Sequence, residues 1–164
     1  MIIREASNDD WPNIYPIFRV IVDAGDTYAY PFGLSSDQAR GLWIEPPPWL
    51  CVVALDGETV LGSAKMGPNR PGRGSHVATA SFMVSPEHQG RGVGFALGTY
   101  VLDWARANGY LAMQFNAVVE TNVAAVALWQ RLGFEILATV PQAFDHRERG
   151  LVGLHVMHRS LVTP

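Results

Sequence analysis

The chain has 164 residues, 48% of them hydrophobic, and sets 12 lysines and arginines against 15 aspartates and glutamates, for a formal charge of −3. A chain of that length can bury one substantial core, so a single domain over residues 1–164 is expected. The slight acidic balance excludes a global positive field that would draw nucleic acid or an anionic membrane, and any anion must be gripped locally.

Ile2, Ile3 and Ala6 predict a short first strand, after which Ser7 or Asn8 caps a helix whose first turn holds Asp9, Asp10 and Pro12. Ile14, Ile17, Phe18, Ile21 and Val22 recur at helical spacing and give that helix one buried stripe, ending near Ala24. The stretch "GDTYAYPFG" breaks the pattern, and Tyr28 and Tyr30 within it either wall a substrate site or simply pack a loop. A shorter helix from Ser35 through Trp43 stops at Pro46, Pro47 and Pro48. "WLCVVALDGETVLGSAKM" predicts a hairpin, because two β-rich runs flank Asp56-Gly57, a dipeptide suited to a tight turn. Cys51, the only cysteine, permits no internal disulfide and no zinc cluster, which fits a core position in a reducing compartment.

Gly67 to His76 reads as a loop and "VATASFMV" as the next strand. A helix from Val93 to Asn108 places Leu97, Val101, Trp104 and Ala105 on one side, with Gly109 where a C-terminal cap is wanted. "LAMQFNAVV" is a strand, Asn122 to Leu132 a third long helix closed by Gly133, and "FEILATV" and, after a polar loop, "LVGLHVMH" the closing strands. The order β, α, α, β, β, β, α, β, α, β, β implies an α/β (α+β) class with a mixed sheet and helices on its faces. No uncharged run approaches the roughly 18 residues of a membrane span, so a soluble cytoplasmic protein is the default expectation.

"SPEHQGRGVGFAL" holds the most informative chemistry. A strand ending at Val84, a turn, and a helix starting near Gly92 leave unpaired N–H groups and the positive end of a helix dipole at one spot, which suits phosphate. Glycines there let ligand oxygens approach the backbone. A P-loop needs Lys-Ser or Lys-Thr after its last glycine, where Gly94 is followed by Phe95 and Ala96. A dinucleotide fingerprint needs G-x-G-x-x-G near the N-terminal strand, and that is missing too.

The stretch does match Q-x-x-G-x-G, as Gln89, Gly92 and Gly94, and with its strand and proline-acid turn it resembles the Gcn5-related N-acetyltransferase (GNAT) family. About thirty residues on, "NVAAVALWQRLGF" is similar to the family's second signature, with Asn122, Ala125, Trp129, Gly133 and Phe134 in place. The resemblance spans essentially the whole chain. It implies a central splayed sheet flanked by helices, acetyl-CoA as acetyl donor, and no metal. It further implies that the backbone of Phe82, Met83 and Val84 pairs with the pantetheine arm, and that Gln89, Gly90, Arg91, Gly92, Val93 and Gly94 supply amides to the pyrophosphate. Asn122 would hydrogen-bond the pantetheine, cap its helix, or both.

The expected reaction is direct attack of a neutral amine on the thioester in a ternary complex, which needs a base, an oxyanion donor and an acceptor for the departing thiolate. The family often places tyrosine where this chain has Trp129; an indole is no practical acid, so Trp129 is expected to pack beside or stabilise the sulfur. His76, Glu120 and His155 are the candidate bases, none with a partner legible from spacing, and a water chain is the alternative. Asn116, alternating with Gln114 and Val118 on one face, is the better catalytic or substrate-orienting candidate, beside Tyr28 and Tyr30 for the substrate. The "FN" and "E-x-N" pattern is similar to the subgroup that includes fungal proline-analogue acetyltransferases. Phe95 stands where many relatives carry a basic residue, which leaves Arg91 as the loop's cation. A small amine, an amino acid or its analogue, is the expected acceptor, chosen by the stretch from Gly25 to Pro48 and the loop after Gln142. A silent acyl-CoA sensor is the alternative, and the late strands could pair across a homodimer.

Overall fold

A computed structural model describes residues 1–162. The strands are β1 (Ile2–Glu5), β2 (Leu50–Asp56), β3 (Thr59–Pro68), β4 (Val77–Val84), β5 (Ala112–Val119), β6 (Glu135–His146) and β7 (Gly150–Ser160). The helices are α1 (Trp11–Ala24), α2 (Ser36–Trp43), α3 (Val93–Ala107) and α4 (Val123–Arg131). The expected element order holds throughout. All seven strands join one sheet in the order β1-β2-β3-β4-β5-β7-β6, antiparallel except where β4 meets β5.

The sheet buries both faces. Against one face pack Leu97 and Val101 of α3 and Trp129 of α4, over Ala64, Met113 and Phe115. Against the other pack Ile14, Phe18 and Val22 of α1 and Trp43 of α2, over Cys51, Val53 and Met83. Trp43 is fully enclosed, and its indole N–H donates to the Ser63 hydroxyl at 2.9 Å, so the polar edge of a large side chain is not stranded.

A single 3₁₀ turn over Asn8–Asp10 precedes α1, and Asp10 is its hub. The Asp10 carboxylate accepts two bonds from the Arg4 guanidinium, at 2.7 and 2.9 Å, and further bonds from the Ser7 N–H and hydroxyl. The Arg4 contacts, then those of Ser7, outweigh burial and hold this carboxyl well below the usual range. A depressed folded value means that the stabilisation is fully present above about pH 4 and is lost as pH falls through the folded value. Asp10→Asn is therefore expected to cost about 2 kcal/mol at neutral pH. Urea unfolding read against pH should show that deficit narrowing below about pH 4.

One expectation fails at the C-terminal end. The polar tract after Gln142 is not a loop: it continues β6, with Phe144 opposite Val152 and His146 opposite Gly150, and the turn is only Arg147 to Arg149. Buried Phe144 anchors it, and backbone pairing tolerates the polar side chains around it. The irregularity falls instead as a register shift between Val140 and Phe144, where Gln142 takes φ 54°.

Candidate active site

β4 and β5 pair only at Val77–Ala112 and Ala78–Met113; beyond these the parallel strands part and leave a slot in the sheet. Alternation decides which β4 groups face it. Ser85 N–H bonds Leu61 on β3, and Val77 C=O accepts from Asn69 at the end of β3, so odd-numbered residues turn their main chain toward β3 and even-numbered ones toward the slot. Phe82 and Val84 therefore face the slot. Met83 does not: its C=O lies against Gly62 on β3 and its side chain is buried in the α1 and α2 core. That corrects the expectation that all three residues offer their backbone to a pantetheine arm.

The turn after β4 is built on backbone geometry. Gly90 and Gly92 adopt φ 76° and 79°, the left-handed region that side chains resist. Among the described residues, the N–H groups from Gly90 through Phe95 meet no backbone acceptor, and the first in this stretch to do so is that of Ala96, to Gly92 C=O at 3.0 Å. His88, which sequence reasoning passed over, lines the same cleft, and its Nδ1 is buried without a partner among the described residues. A fan of free amides beside an unsatisfied ring nitrogen fits a diphosphate. Arg91 is half exposed at the rim, 3.5 Å from Asp56, and does not line the cleft. A cation comes instead from Arg131 of α4, whose guanidinium lies 5.0 Å from the Phe95 ring centre and does line it. A conversation across two helices supplies what Phe95 lacks, and no local motif announces it.

The slot and the turn open into one cleft of about 1140 Å³, which also takes in Tyr28, Tyr30, Asn116, Asn122 and Trp129. Trp129 is buried against Phe82 at 4.6 Å and Phe115 at 4.9 Å between ring centres. Trp11 and Trp43 donate their indole N–H to serine hydroxyls, whereas Trp129 has no such partner among the described residues. Asn122 caps α4, its side-chain oxygen accepting from Ala125 N–H at 3.2 Å. Tyr28 and Tyr30 stack at 5.5 Å and line the cleft while packing on the α1 and α2 core, so both readings of that loop hold.

Asn116 is exposed, and its amide donates to Asn69 at 2.6 Å and accepts from Gln114 at 2.9 Å. Val118 does not share its face: β5 shifts register between Phe115 and Val118, which turns Val118 into the core. Lys65 and Trp49, unnoticed in the sequence, complete this end of the cleft, with Lys65 paired to Glu45 and lying 5.2 Å from the Trp49 ring centre. The candidate bases are elsewhere. Glu120 is exposed and its carboxylate accepts from Gly153 N–H; His76 is exposed; His155 bonds Thr139 at 2.8 Å; none lines the cleft.

The two stretches expected to choose the substrate do meet. Arg147 N–H donates to Gly25 C=O at 2.9 Å, and its guanidinium to Asp23 C=O at 2.8 Å, tying the β6–β7 turn to the loop after α1. A small polar cavity of about 250 Å³ lies beside this tie, holding the buried hydroxyls of Thr27 and Thr121, which have no partner among the described residues.

Residues 3–134 match the family model of the acetyltransferase (GNAT) family. The chain is 34% identical over 150 residues to an L-methionine sulfoximine/L-methionine sulfone acetyltransferase of Pseudomonas paraeruginosa, covering 85% of this chain and 83% of that one. It is 30% identical over 128 residues to the N-acetyltransferase aca1 of Schizosaccharomyces pombe, covering 69% of this chain but only 61% of that protein's length. A GCN5-related N-acetyltransferase structure from Kribbella flavida superposes with a TM-score of 0.94 at 57% identity, covering 97% of this chain and 96% of that one.

Proposed function

Because this chain belongs to the GNAT family, we propose that it is an acetyl-CoA-dependent N-acetyltransferase that acetylates the amine of a small molecule, an amino acid or amino-acid analogue, by direct attack in a ternary complex. One observation carries this reading: a single cleft joins the free amides of the Gly90–Phe95 turn to the polar and aromatic end at Tyr30, Lys65 and Asn116, so both substrates fit together. The Pseudomonas relative, named for two methionine derivatives, supports an amino-acid-like acceptor.

Acetyl-CoA supplies an activated carbonyl and a thiolate leaving group. In this reading the turn amides, His88 and Arg131 bind its diphosphate, while the Val84 N–H and C=O pair with the pantetheine arm from the slot edge. Asn122 keeps its amide N–H₂ for the same arm, since its oxygen is spent on the α4 cap. Trp129 shields the sulfur from water without acting as an acid. Asn116 and Lys65 orient the acceptor, and its ammonium proton leaves through water, because His76, Glu120 and His155 do not reach the cleft.

Thiol release from acetyl-CoA in the presence of amino acids and their sulfoximine and sulfone analogues tests the proposal. Acetylation of at least one such amine is expected. Cofactor binding with no thiol released by any amine would identify a silent sensor instead.

A further inference from the structure

The slot is not empty at the level of Phe82. The Tyr28 hydroxyl donates to Phe82 C=O at 2.7 Å and accepts from Phe82 N–H at 3.0 Å. Both groups belong to an even-numbered residue, so they point away from β3 into the gap between β4 and β5. One phenol oxygen thus occupies the position at which an incoming strand, or any ligand with a carbonyl and an N–H, would pair with this edge.

We propose that Tyr28 is a stand-in for the acetyl donor: its phenol satisfies the Phe82 edge in the free enzyme and leaves it when acetyl-CoA enters, so that donor binding is a competition with Tyr28. This rests on the reading that the pantetheine arm runs along β4. Two observations support displacement over a fixed wall. The first is stoichiometric: Phe82 has one N–H and one C=O on the slot side, both are taken by Tyr28, and a polar arm lying on that edge must pair with the same two groups. The second is the setting of the ring. Tyr28 lies on the loop between α1 and α2, stacked on Tyr30 with planes 12° apart and set edge-on to Trp43. It lines the cleft, so displacement carries the ring away from Phe82 toward the open side and not through the core. The Arg147 tie at Gly25 meanwhile holds the base of the loop in place.

The hydroxyl's protonation sets how the competition responds to pH. Burial, with a smaller contribution from Tyr30, holds the Tyr28 phenol above its ordinary range, so it remains a donor and an acceptor at every working pH. The competition is consequently independent of pH between about 6 and 9. A histidine or carboxylate at the same place would lack that property.

Calorimetric titration of acetyl-CoA into the wild-type chain and into Tyr28→Phe tests the inference. Removing the hydroxyl removes the competitor while keeping the ring, so the variant is expected to bind acetyl-CoA roughly fivefold more tightly, as the loss of one net hydrogen bond on the free side predicts. The ratio should be the same at pH 6 and pH 9. Equal or weaker binding by the variant would mean that Tyr28 is a fixed contact, and overturns the inference while leaving the proposed function standing. A wild-type chain that binds no acetyl-CoA overturns both. A crystal structure of the wild-type complex gives a readout free of mutation: Tyr28 off Phe82 with a cofactor atom in its place supports displacement, and a Tyr28 oxygen still about 3.0 Å from Phe82 N–H overturns it.

Discussion

Replacing Gly92 with valine abolishes the thermal shift that CoA gives the wild-type chain and leaves the unliganded fold intact. The reason is torsional, not steric. A Cβ at Gly92 would meet nothing within 4 Å, but φ 79° is a conformation that a β-branched residue reaches only at a cost on the order of 1–3 kcal/mol. Gly92 is exposed, so the variant escapes that cost by rotating the backbone there, and the N–H groups of Arg91 through Gly94 swing with it. The anion site is made of those directions and is lost with them. Affinity for CoA should drop by about a hundredfold or more, worth about 3 kcal/mol. With CoA at about a hundred times the wild-type Kd, ligand binding stabilises the wild type by about 2.7 kcal/mol, a shift easily read by scanning fluorimetry. A variant that kept that shift would show that the turn does not hold the cofactor.

Trp129→Ala is expected to destabilise the chain by about 3–5 kcal/mol, the range for deleting a buried large aromatic. Trp129 sits among Phe82, Phe115 and Phe134, and α3 comes close to it only because position 98 is glycine. A Cβ at Gly98 would lie 2.4 Å from Leu132 and 3.3 Å from Trp129, so α3 packs directly on the ring that the substitution removes. Chemical unfolding measures this loss but does not separate packing from catalysis. Trp129→Phe does. It retains most of the aromatic contact and removes the indole N–H, and kcat is expected to stay within about threefold of wild type if that N–H plays no part in the chemistry. A hundredfold fall in kcat with cofactor affinity unchanged would place the indole N–H at the reacting sulfur.

Much of this architecture is written locally. Asp56-Gly57 announces the β2–β3 hairpin, the stripe from Ile14 to Val22 announces α1, and the spacing of Gln89, Gly92 and Gly94 marks the turn that carries the free amides. What stayed hidden depends on contacts between distant residues. The side of the sheet edge that Met83 faces follows from its register with Ser63, and the inward turn of Val118 follows from an irregularity in β5; a period-two pattern carries neither. Arg131 reaches the Phe95 ring only because α3 and α4 lie side by side, and Lys65 looks like any surface lysine until Glu45 and Trp49 close over it. His88 had a visible clue, since it immediately precedes Gln89, but only burial of its Nδ1 without a partner distinguishes it from a histidine on an ordinary turn.

The tie between Arg147 and Gly25 has a mechanical consequence. The tie is made by the β6–β7 hairpin, whose inner strand β7 lies between β5 and β6 and buries Met157 in the core. The loop that carries Tyr28 is thus fastened to the far edge of the sheet through main chain at Gly25. A substitution in the Arg147–Arg149 turn would be felt at that loop without altering any residue that lines the cleft.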